Sequence, residues 1–186
     1  MKLEKDFRKA GGEFREFALK DLFEITGTKS LDEGKLDFVE NGINFVGRVK
    51  HGIKGKIEPQ PFEPNEPNTI TASVIGYYKY STFQTQPYYC SQNINKLTPR
   101  FEINRHLAMY FMTHVQKFIS RFDFQQAGYK LVELQNHKIT LPLDSKGDID
   151  FALMQTLIKA IEKLVVKDLV VWNEKKLRAT KEAIDS

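Results

Sequence analysis

The residue types that most often carry catalysis are few in this sequence, and they do not form a recognisable set. Its four histidines, His51, His106, His114 and His137, have no metal-ligand spacing, and Cys90 is its single cysteine. No glycine-rich phosphate loop follows a predicted strand, and no serine or cysteine has a base partner or an elbow motif. We therefore predict no catalytic residue, no metal site and no cofactor.

Two strings superficially resemble enzyme motifs without their context. Asn65-Glu66-Pro67-Asn68 lacks the aromatic residue and adjacent prolines of an adenine methyltransferase motif. Asp168, followed by Glu174-Lys175-Lys176, has the residue types of a nuclease acid–acid–lysine set. Because this second string lies on a predicted helix rather than on strands, a solvated helix face is the preferred interpretation.

One short segment combines cations with glycines and carries no carboxylate. It runs from Gly47 to Lys56, and its cations are Arg48, Lys50, Lys54 and Lys56. A polyanion meets little repulsion on such a surface, so these side chains are candidates for binding phosphates. A second interpretation stays open, in which the segment is a set of solvated turns.

A second carboxylate-free stretch, between Glu66 and Glu102, is rich in tyrosine, hydroxyl and amide side chains. Amides can pair bidentately with adenine and cations with guanine, whereas tyrosine can hold a phosphate. The candidates for DNA contact are therefore Lys79, Tyr80, Ser91, Gln92 and Asn93, with Arg121 and Lys130 from a later loop. The alternative is a half-buried strand, in which tyrosines (Tyr77, Tyr78, Tyr80, Tyr88 and Tyr89) alternate with polar residues.

The hydrophobic pattern predicts short strands over most of the chain and helices towards its C-terminus. Residues 14–25 predict an opening strand and a short helical turn, and 42–57 predict short strands joined by glycine turns. Further strands are predicted at 68–74, 77–83, 87–90, 93–97 and 138–143, and the proline-rich run 58–67 predicts an irregular loop. Asn104 is a good N-cap for a helix with one buried face, on which His114 should pack or hydrogen-bond. The pattern predicts a mixed α+β fold with a twisted β-sheet over residues 1–147, followed by a helical region at 148–186.

The last predicted helix carries a long apolar stripe. Its members step by three or four residues: Phe151, Met154, Ile158, Ile161, Val165, Leu169 and Trp172. A helix over 150–183 is about 50 Å long at 1.5 Å per residue, which is too long for a domain of this size to cover. The stripe therefore predicts a partner helix and a homodimer in a coiled-coil arrangement. The alternative is a helix that folds back on its own domain.

Composition limits the class of protein. The 186 residues are 41% hydrophobic and carry 28 cations against 24 carboxylates, a mild net charge of +4. These values predict one globular domain with a modest appendage. No stretch approaches the ~18 apolar residues that a membrane span needs. A single cysteine is compatible with a reducing cytoplasm, so a cytoplasmic protein with no membrane partner is expected.

The order of several short strings resembles the DNA-specificity domain of Type I restriction–modification systems. The early strings are Leu22-Phe23-Glu24-Ile25-Thr26-Gly27-Thr28-Lys29-Ser30, Gly42-Ile43-Asn44-Phe45-Val46 and Asn68-Thr69-Ile70-Thr71. The later ones are Pro87-Tyr88-Tyr89-Cys90-Ser91-Gln92-Asn93, Gly128-Tyr129-Lys130 and Ile139-Thr140-Leu141-Pro142. Asp150-Phe151-Ala152-Leu153-Met154 is similar to the variant paired with combined restriction–methylation enzymes. The match runs from about Phe14 to Leu177.

This resemblance implies a target recognition domain followed by one spacer helix. Such subunits are not enzymes; they position an adenine-N6 methyltransferase subunit, and often a restriction subunit, on a bipartite sequence in double-stranded DNA. Lys29 and Tyr129, which lie within the matching strings, join the candidates for DNA contact. A standard subunit has two recognition domains and two spacer helices, so one of each would correspond to a natural half-subunit, a truncation product or an excised domain.

Two other classes of function remain to be separated from this one. A fragment of a combined restriction–methylation enzyme would bind its own nucleotide or metal. A pure assembly module would act only through the C-terminal helix and would not bind DNA.

Overall fold

The computed structural model describes residues 7, 9, 11–76, 79–122 and 128–184. Its strands are β1 (Glu13–Ala18), β2 (Phe23–Gly27), β3 (Ser30–Leu31), β4 (Phe38–Val39), β5 (Ile43–Val46), β6 (Ile53–Ile57), β7 (Thr69–Ser73), β8 (Ser81–Gln84), β9 (Tyr88–Ser91), β10 (Ile94–Pro99) and β11 (Lys138–Leu143). Its helices are α1 (Leu19–Leu22), α2 (Arg105–Ile119), α3 (Leu131–Gln135) and α4 (Phe151–Ile184). The predicted fold class, mixed α+β with a long C-terminal helix, is confirmed.

The main core lies between a four-stranded antiparallel sheet and α2. The strand order is β2-β10-β7-β8, and every residue of the inner strand β7 is buried. Asn104 caps α2, since its side-chain oxygen accepts hydrogen bonds of 3.1 Å from the backbone N–H groups of both His106 and Leu107. The helix then buries Leu107, Phe111, Val115 and Phe118, as the helical spacing predicts.

A five-stranded sheet with the order β3-β9-β5-β6-β4 completes the β-structure, together with a ribbon of β1 and β11. Strands β3 and β5 run parallel to β9, and all four residues of β9 are buried. The chain passes from β9 in this sheet to β10 in the other through Gln92 and Asn93 alone. Asn93 adopts a φ of 62°, a left-handed conformation that asparagine tolerates better than most residues.

The strand directions bring several connecting segments to one end of the domain, called here the loop end. Because β5 runs parallel to β9, with Val46 beside Cys90, segment 47–52 emerges on the same side as the Gln92–Asn93 turn. That turn also contacts the segment after β7, where the Val74 N–H donates to the Asn93 carbonyl at 2.9 Å.

Two further segments reach the same end. Thr28, directly after β2, donates its backbone N–H to the Ile94 carbonyl at 3.3 Å. Gly128 lies so close to Val74 and Ile75 that a Cβ there would meet the Val74 carbonyl at 2.7 Å. The loop end therefore consists of residues 28–29, 47–52, 92–93 and the described parts of 74–80 and 121–130.

The opposite end of α2 holds the start of α4, and this region is called the helix end. The rings of Phe101 and Phe151 stack with centroids 4.7 Å apart, and the Asn104 amide donates to Gln155 at 2.9 Å. Met154 is buried in the main core. The first turns of α4 thus pack on the domain, so the boundary that we place after residue 147 stays a prediction. None of the described helices is long and apolar enough to cross a membrane.

Candidate nucleic-acid interface

The glycine-rich segment 47–52 forms a compact loop between β5 and β6 that presents two cations. The Gly47 N–H donates to the Gly52 carbonyl at 2.7 Å, and the Gly52 N–H donates to the Val49 carbonyl at 2.9 Å. Gly52 has a φ of +78°, and a Cβ there would lie 2.5 Å from the hydroxyl of Thr82. These bonds hold the loop closed, while Arg48 and Lys50 are exposed and have no ion pair within the described part of the chain.

The two other cations of this segment lie on β6 and differ in their surroundings. Lys54 forms an ion pair with Glu33, so its charge is compensated within the domain. Lys56 is exposed and makes no ion pair with any residue that the structure describes. The sequence grouped the four cations as equals, but the fold leaves Arg48, Lys50 and Lys56 available to an anion and engages Lys54.

The turn between β9 and β10 presents the two predicted amides. Gln92 and Asn93 are both exposed, because the left-handed conformation at Asn93 turns the chain sharply between two buried strands. Ser91, immediately before them, is 6% exposed and belongs to buried strand β9. The exposed amides of Gln92 and Asn93 can approach a base edge, whereas the buried hydroxyl of Ser91 cannot do so without a rearrangement.

Lys79 and Tyr80 do not lie on an open surface as the sequence suggested. The Lys79 side chain is 5% exposed, and its ammonium donates to the Phe122 carbonyl at 2.6 Å. Tyr80 is half-buried, and its backbone carbonyl accepts from the Ser73 N–H at 3.1 Å. Lys79 therefore joins the loop after β7 to the end of α2 and is corrected from a DNA ligand to a structural residue. Tyr77 and Tyr78 lie outside the described residues.

The loop that follows α2 divides in the same way. Tyr129 is 3% exposed, and its hydroxyl donates to the Ala72 carbonyl at 3.3 Å and accepts from the Asn95 amide at 3.4 Å. Burial raises the pKa of Tyr129 far above its ordinary value, so the hydroxyl stays neutral. Tyr129 is therefore corrected to a core residue, while Arg121 and Lys130 are exposed at the two ends of the loop.

Lys29 is exposed beside the Gln92–Asn93 turn. Its ammonium lies 3.9 Å from the centroid of the Phe62 ring, a cation–π contact that holds the side chain without removing its charge. The loop end thus gathers exposed side chains that are far apart in sequence. They are Lys29, Arg48, Lys50, Gln92, Asn93, Arg121 and Lys130.

Comparisons with known proteins identify the family to which this chain belongs. The family model described as the Type I restriction modification DNA specificity domain matches residues 12–169. The chain belongs to this family. The exposed cations and amides of the loop end thus belong to a domain whose family is named for DNA specificity.

Individual relatives agree with the family. The chain is 24% identical over 148 residues to the specificity subunit S.BcgI of a Type II restriction enzyme from Heyndrickxia coagulans, covering 78% of this chain and 42% of that protein. The Type I S subunit from M. genitalium matches 89% of this chain and 44% of its own, at 18% identity and a TM-score of 0.60. The HsdS subunit from Thermoanaerobacter tengcongensis matches 83% and 38%, at 16% identity and a TM-score of 0.60. The chain spans about two fifths of the length of these relatives.

The apolar stripe of the specificity domain's long helix divides into two parts. Phe151 is half-buried, and Met154 and Ile158 are 1% and 8% exposed against their own domain. From Ile161 onwards the stripe faces solvent, with 39% exposure at Ile161, 52% at Val165, 59% at Leu169 and 60% at Trp172. Met154 and Ile158 are therefore covered by their own domain, and the seam stays a prediction for the residues from Ile161 onwards. The exposed part, from Ile161 to Trp172, is called the distal stripe.

Two features concern chemistry rather than binding. Among the described residues no group of histidine, cysteine and carboxylate side chains could hold a metal ion. Cys90 is buried, and burial raises the pKa of its thiol to about 12, which keeps it protonated and unreactive.

The sequence interpretation also missed a cation that lies next to the loop end. Lys117 is exposed on the last turns of α2, one turn before Arg121. The spacing of His114 and Lys117 places them on one helix face, a signal that was present in the sequence.

Proposed function

We propose that this chain is a non-catalytic, sequence-specific DNA reader that directs an adenine-N6 methyltransferase subunit, and in a restriction assembly a restriction subunit, to a bipartite target. The observation that carries the proposal is the gathering of exposed amides and of cations that have no ion pair among the described residues, at one end of a domain of the DNA-specificity family. Cations without a carboxylate partner leave their charge to an external polyanion.

Within this surface we assign two roles. Arg48 and Lys50 contact backbone phosphates, because the closed glycine loop holds them outwards without internal ion pairs. Gln92 and Asn93 contact base edges, because amides pair bidentately with adenine in the major groove. Lys29, Arg121 and Lys130 lie around these two groups and supply further positive charge.

The distal stripe supplies the means of joining two half-sites. Large apolar side chains that are more than half exposed along one helix face are typical of an interface rather than of a free surface. We propose that two copies pair antiparallel through Val165, Leu169 and Trp172, which gives a closed two-fold dimer. Such a dimer reads two inverted half-sites, so its target is an interrupted palindrome.

The direct test is selection of DNA targets from a random duplex library by the full chain, with sedimentation of the same sample. The proposal expects a dimer, an interrupted palindromic consensus and no binding of S-adenosylmethionine. Val165→Asp should give a folded monomer that binds DNA much more weakly, because the dimer would bury an unpaired carboxylate.

Each alternative has its own outcome in that experiment. A chain that binds S-adenosylmethionine would indicate a methyltransferase fragment instead. A dimer that enriches no DNA over the starting library would indicate a pure assembly module.

A further inference from the structure

A cluster of basic side chains lies around the last turns of α2 next to the loop end, and the predicted interface does not use most of it. His114 and Lys117 share one face of the helix, Arg121 follows two residues after its end at Ile119, and His137 comes from the connection between α3 and β11. The His137 ring lies against Phe118 of α2, with the ring centroids 4.7 Å apart. These four side chains, His114, Lys117, Arg121 and His137, are called the α2 patch.

No carboxylate among the described residues pairs with the α2 patch. Within residues 11–76, 79–122 and 128–184, none of its four side chains makes a hydrogen bond or an ion pair. The start of the same helix is different, because Arg105 lies 3.5 Å and His106 lies 3.1 Å from the carboxylate of Glu162 on α4. One helix therefore carries cations that are compensated at its first turn and uncompensated at its last turns.

The members of the patch lie close enough to influence one another. Burial and the charge of Lys117 lower the pKa of His114. Burial, followed by the charges of Arg121, His114 and Lys117, lowers the pKa of His137. Both imidazoles are therefore neutral at pH 7 in the free protein, although both remain partly exposed to solvent.

The described carboxylates on the elements around His137 bond elsewhere, and the charges that shift the pKa of His114 or His137 all come from other basic groups. The carboxylate of Glu133 on α3 accepts from the Lys130 N–H at 2.6 Å, and that of Asp21 on α1 accepts from the Ala18 N–H at 3.1 Å. Glu16 on β1 pairs with Lys138 at 3.4 Å, and Lys20 donates to Asn136 at 2.7 Å. On α2 itself the ring of Tyr110 lies beside the His114 ring, with the centroids 5.1 Å apart.

We propose that the α2 patch is a second phosphate-anchoring site for DNA, in which the two imidazoles take up protons as the phosphate binds. Lys117 and Arg121 supply permanent charge, and the two rings supply N–H donors once they are protonated. An anion beside a neutral imidazole favours its charged form, so binding and protonation reinforce each other. This inference rests on the proposed function, because its ligand is the backbone of the same DNA.

The consequence is a DNA affinity that depends on pH. Each proton taken up on binding lowers the logarithm of the association constant by up to about one per pH unit as the pH rises. The test is to measure the dissociation constant of the full chain for a labelled duplex between about pH 6 and about pH 8 at constant ionic strength. The inference predicts that the constant rises about tenfold or more over this range.

Matched variants identify the source of the dependence. His114→Gln combined with His137→Gln should reduce the change to about twofold or less, whereas His106→Gln, at the helix end beside Glu162, should leave it unaltered. Lys117→Gln combined with Arg121→Gln should lower the log–log salt slope by about 0.9 per lost contact. Histidine NMR titrations of the unaltered chain need no variant, and they should show the pKa of both rings rising when DNA is added.

Each contrary result has one meaning. DNA binding that is independent of pH, or that keeps its pH dependence in the double histidine variant, would overturn the α2 patch and leave the DNA reader intact. A proton-linked effect on binding a methyltransferase subunit but not on binding DNA would also overturn it. Absence of DNA binding at every pH would overturn both proposals.

Discussion

The two ends of the folded domain use the same residue types in opposite ways. At the helix end Met154 and Ile158 are buried and Phe151 is half-buried, and the basic side chains of Arg105 and His106 contact Glu162. At the loop end Arg48 and Lys50 are exposed and have no ion pair within the described residues. The basic groups that contact Glu162 at the helix end therefore pair within the domain, whereas Arg48 and Lys50 of the loop end have no described ion-pair partner. Substitutions at the helix end should therefore mainly change stability, and substitutions at the loop end should mainly change DNA binding.

The largest expected effect is at the helix end. Met154→Ala removes a side chain that is 1% exposed in the main core, so the free energy of unfolding should fall by about 2–5 kcal/mol. Leu169→Ala changes a 59% exposed side chain on the same helix and should leave the stability of the monomer nearly unchanged. Urea unfolding of both variants, with light scattering for the oligomeric state, provides the measurement. Equal losses of monomer stability would show that the distal stripe is also covered within the chain.

The next effect is at the loop end and concerns specificity. Gln92→Ala and Asn93→Gly remove exposed amides, and glycine is used at Asn93 because it adopts the φ of 62° without strain. At least one of the two variants should reduce discrimination at one base pair by about 1–3 kcal/mol. Stability is the matched readout, since neither Gln92 nor Asn93 contributes its side chain to the core. Gln86→Ala changes an exposed amide on the connection between β8 and β9 and serves as the control. The same selected consensus for all three variants would remove the turn from the reading surface.

A smaller and less specific effect is expected from the glycine loop. Arg48→Gln and Lys50→Gln should weaken binding to every sequence alike and lower the log–log salt slope by about 0.9 for each lost phosphate contact. Arg100→Gln removes an exposed cation near the helix end and should leave the slope unchanged. If the control lowers the slope as much as the loop variants do, the two ends are not distinct in binding.

Sequence patterns predicted the elements well, because strand alternation and helix periodicity record which side chains are buried. The N-cap at Asn104, the helix over Arg105–Ile119 and the short strands on either side of Gly47–Gly52 all form as expected. The same patterns cannot say which element covers an apolar face. Met154 and Val165 belong to one predicted stripe, yet the first packs against α2 and the second faces solvent.

The candidate site was predictable only in part, for a similar reason. The type of a polar side chain indicates what it can bind, but long-range contacts decide whether it is free to bind. Lys79 is held by the Phe122 carbonyl and Tyr129 by Ala72, and both contacts span more than 40 positions. Lys54 is paired with Glu33 of a distant turn. The parallel pairing of β5 with β9, which gathers the loop end, likewise has no local signal in the sequence.

The smallest expected effect concerns two residues that bear on both stability and binding. His114 and His137 lie near the loop end but are partly buried, so they should affect stability as well as binding. Their pKa values in the folded chain are lowered from the ordinary value near 6.5, so the unfolded chain binds more protons just below that pH. The free energy of unfolding should therefore fall as the pH decreases through about 6.5 towards the lowered values.

Because both rings are partly exposed to solvent, the loss should be less than about 1 kcal/mol. Urea unfolding without DNA, between about pH 7.5 and about pH 5.5, measures it. The pKa of Glu66 is also lowered, because the hydrogen bonds from Lys96 and Thr98 outweigh the effect of burial, but its stabilisation is lost only at lower pH. The variant with His114→Gln and His137→Gln should show a flatter profile than the unaltered chain. If the free energy of unfolding falls just as steeply with decreasing pH in this variant, groups other than His114 and His137 cause the fall. The two histidines would then influence DNA binding without influencing stability.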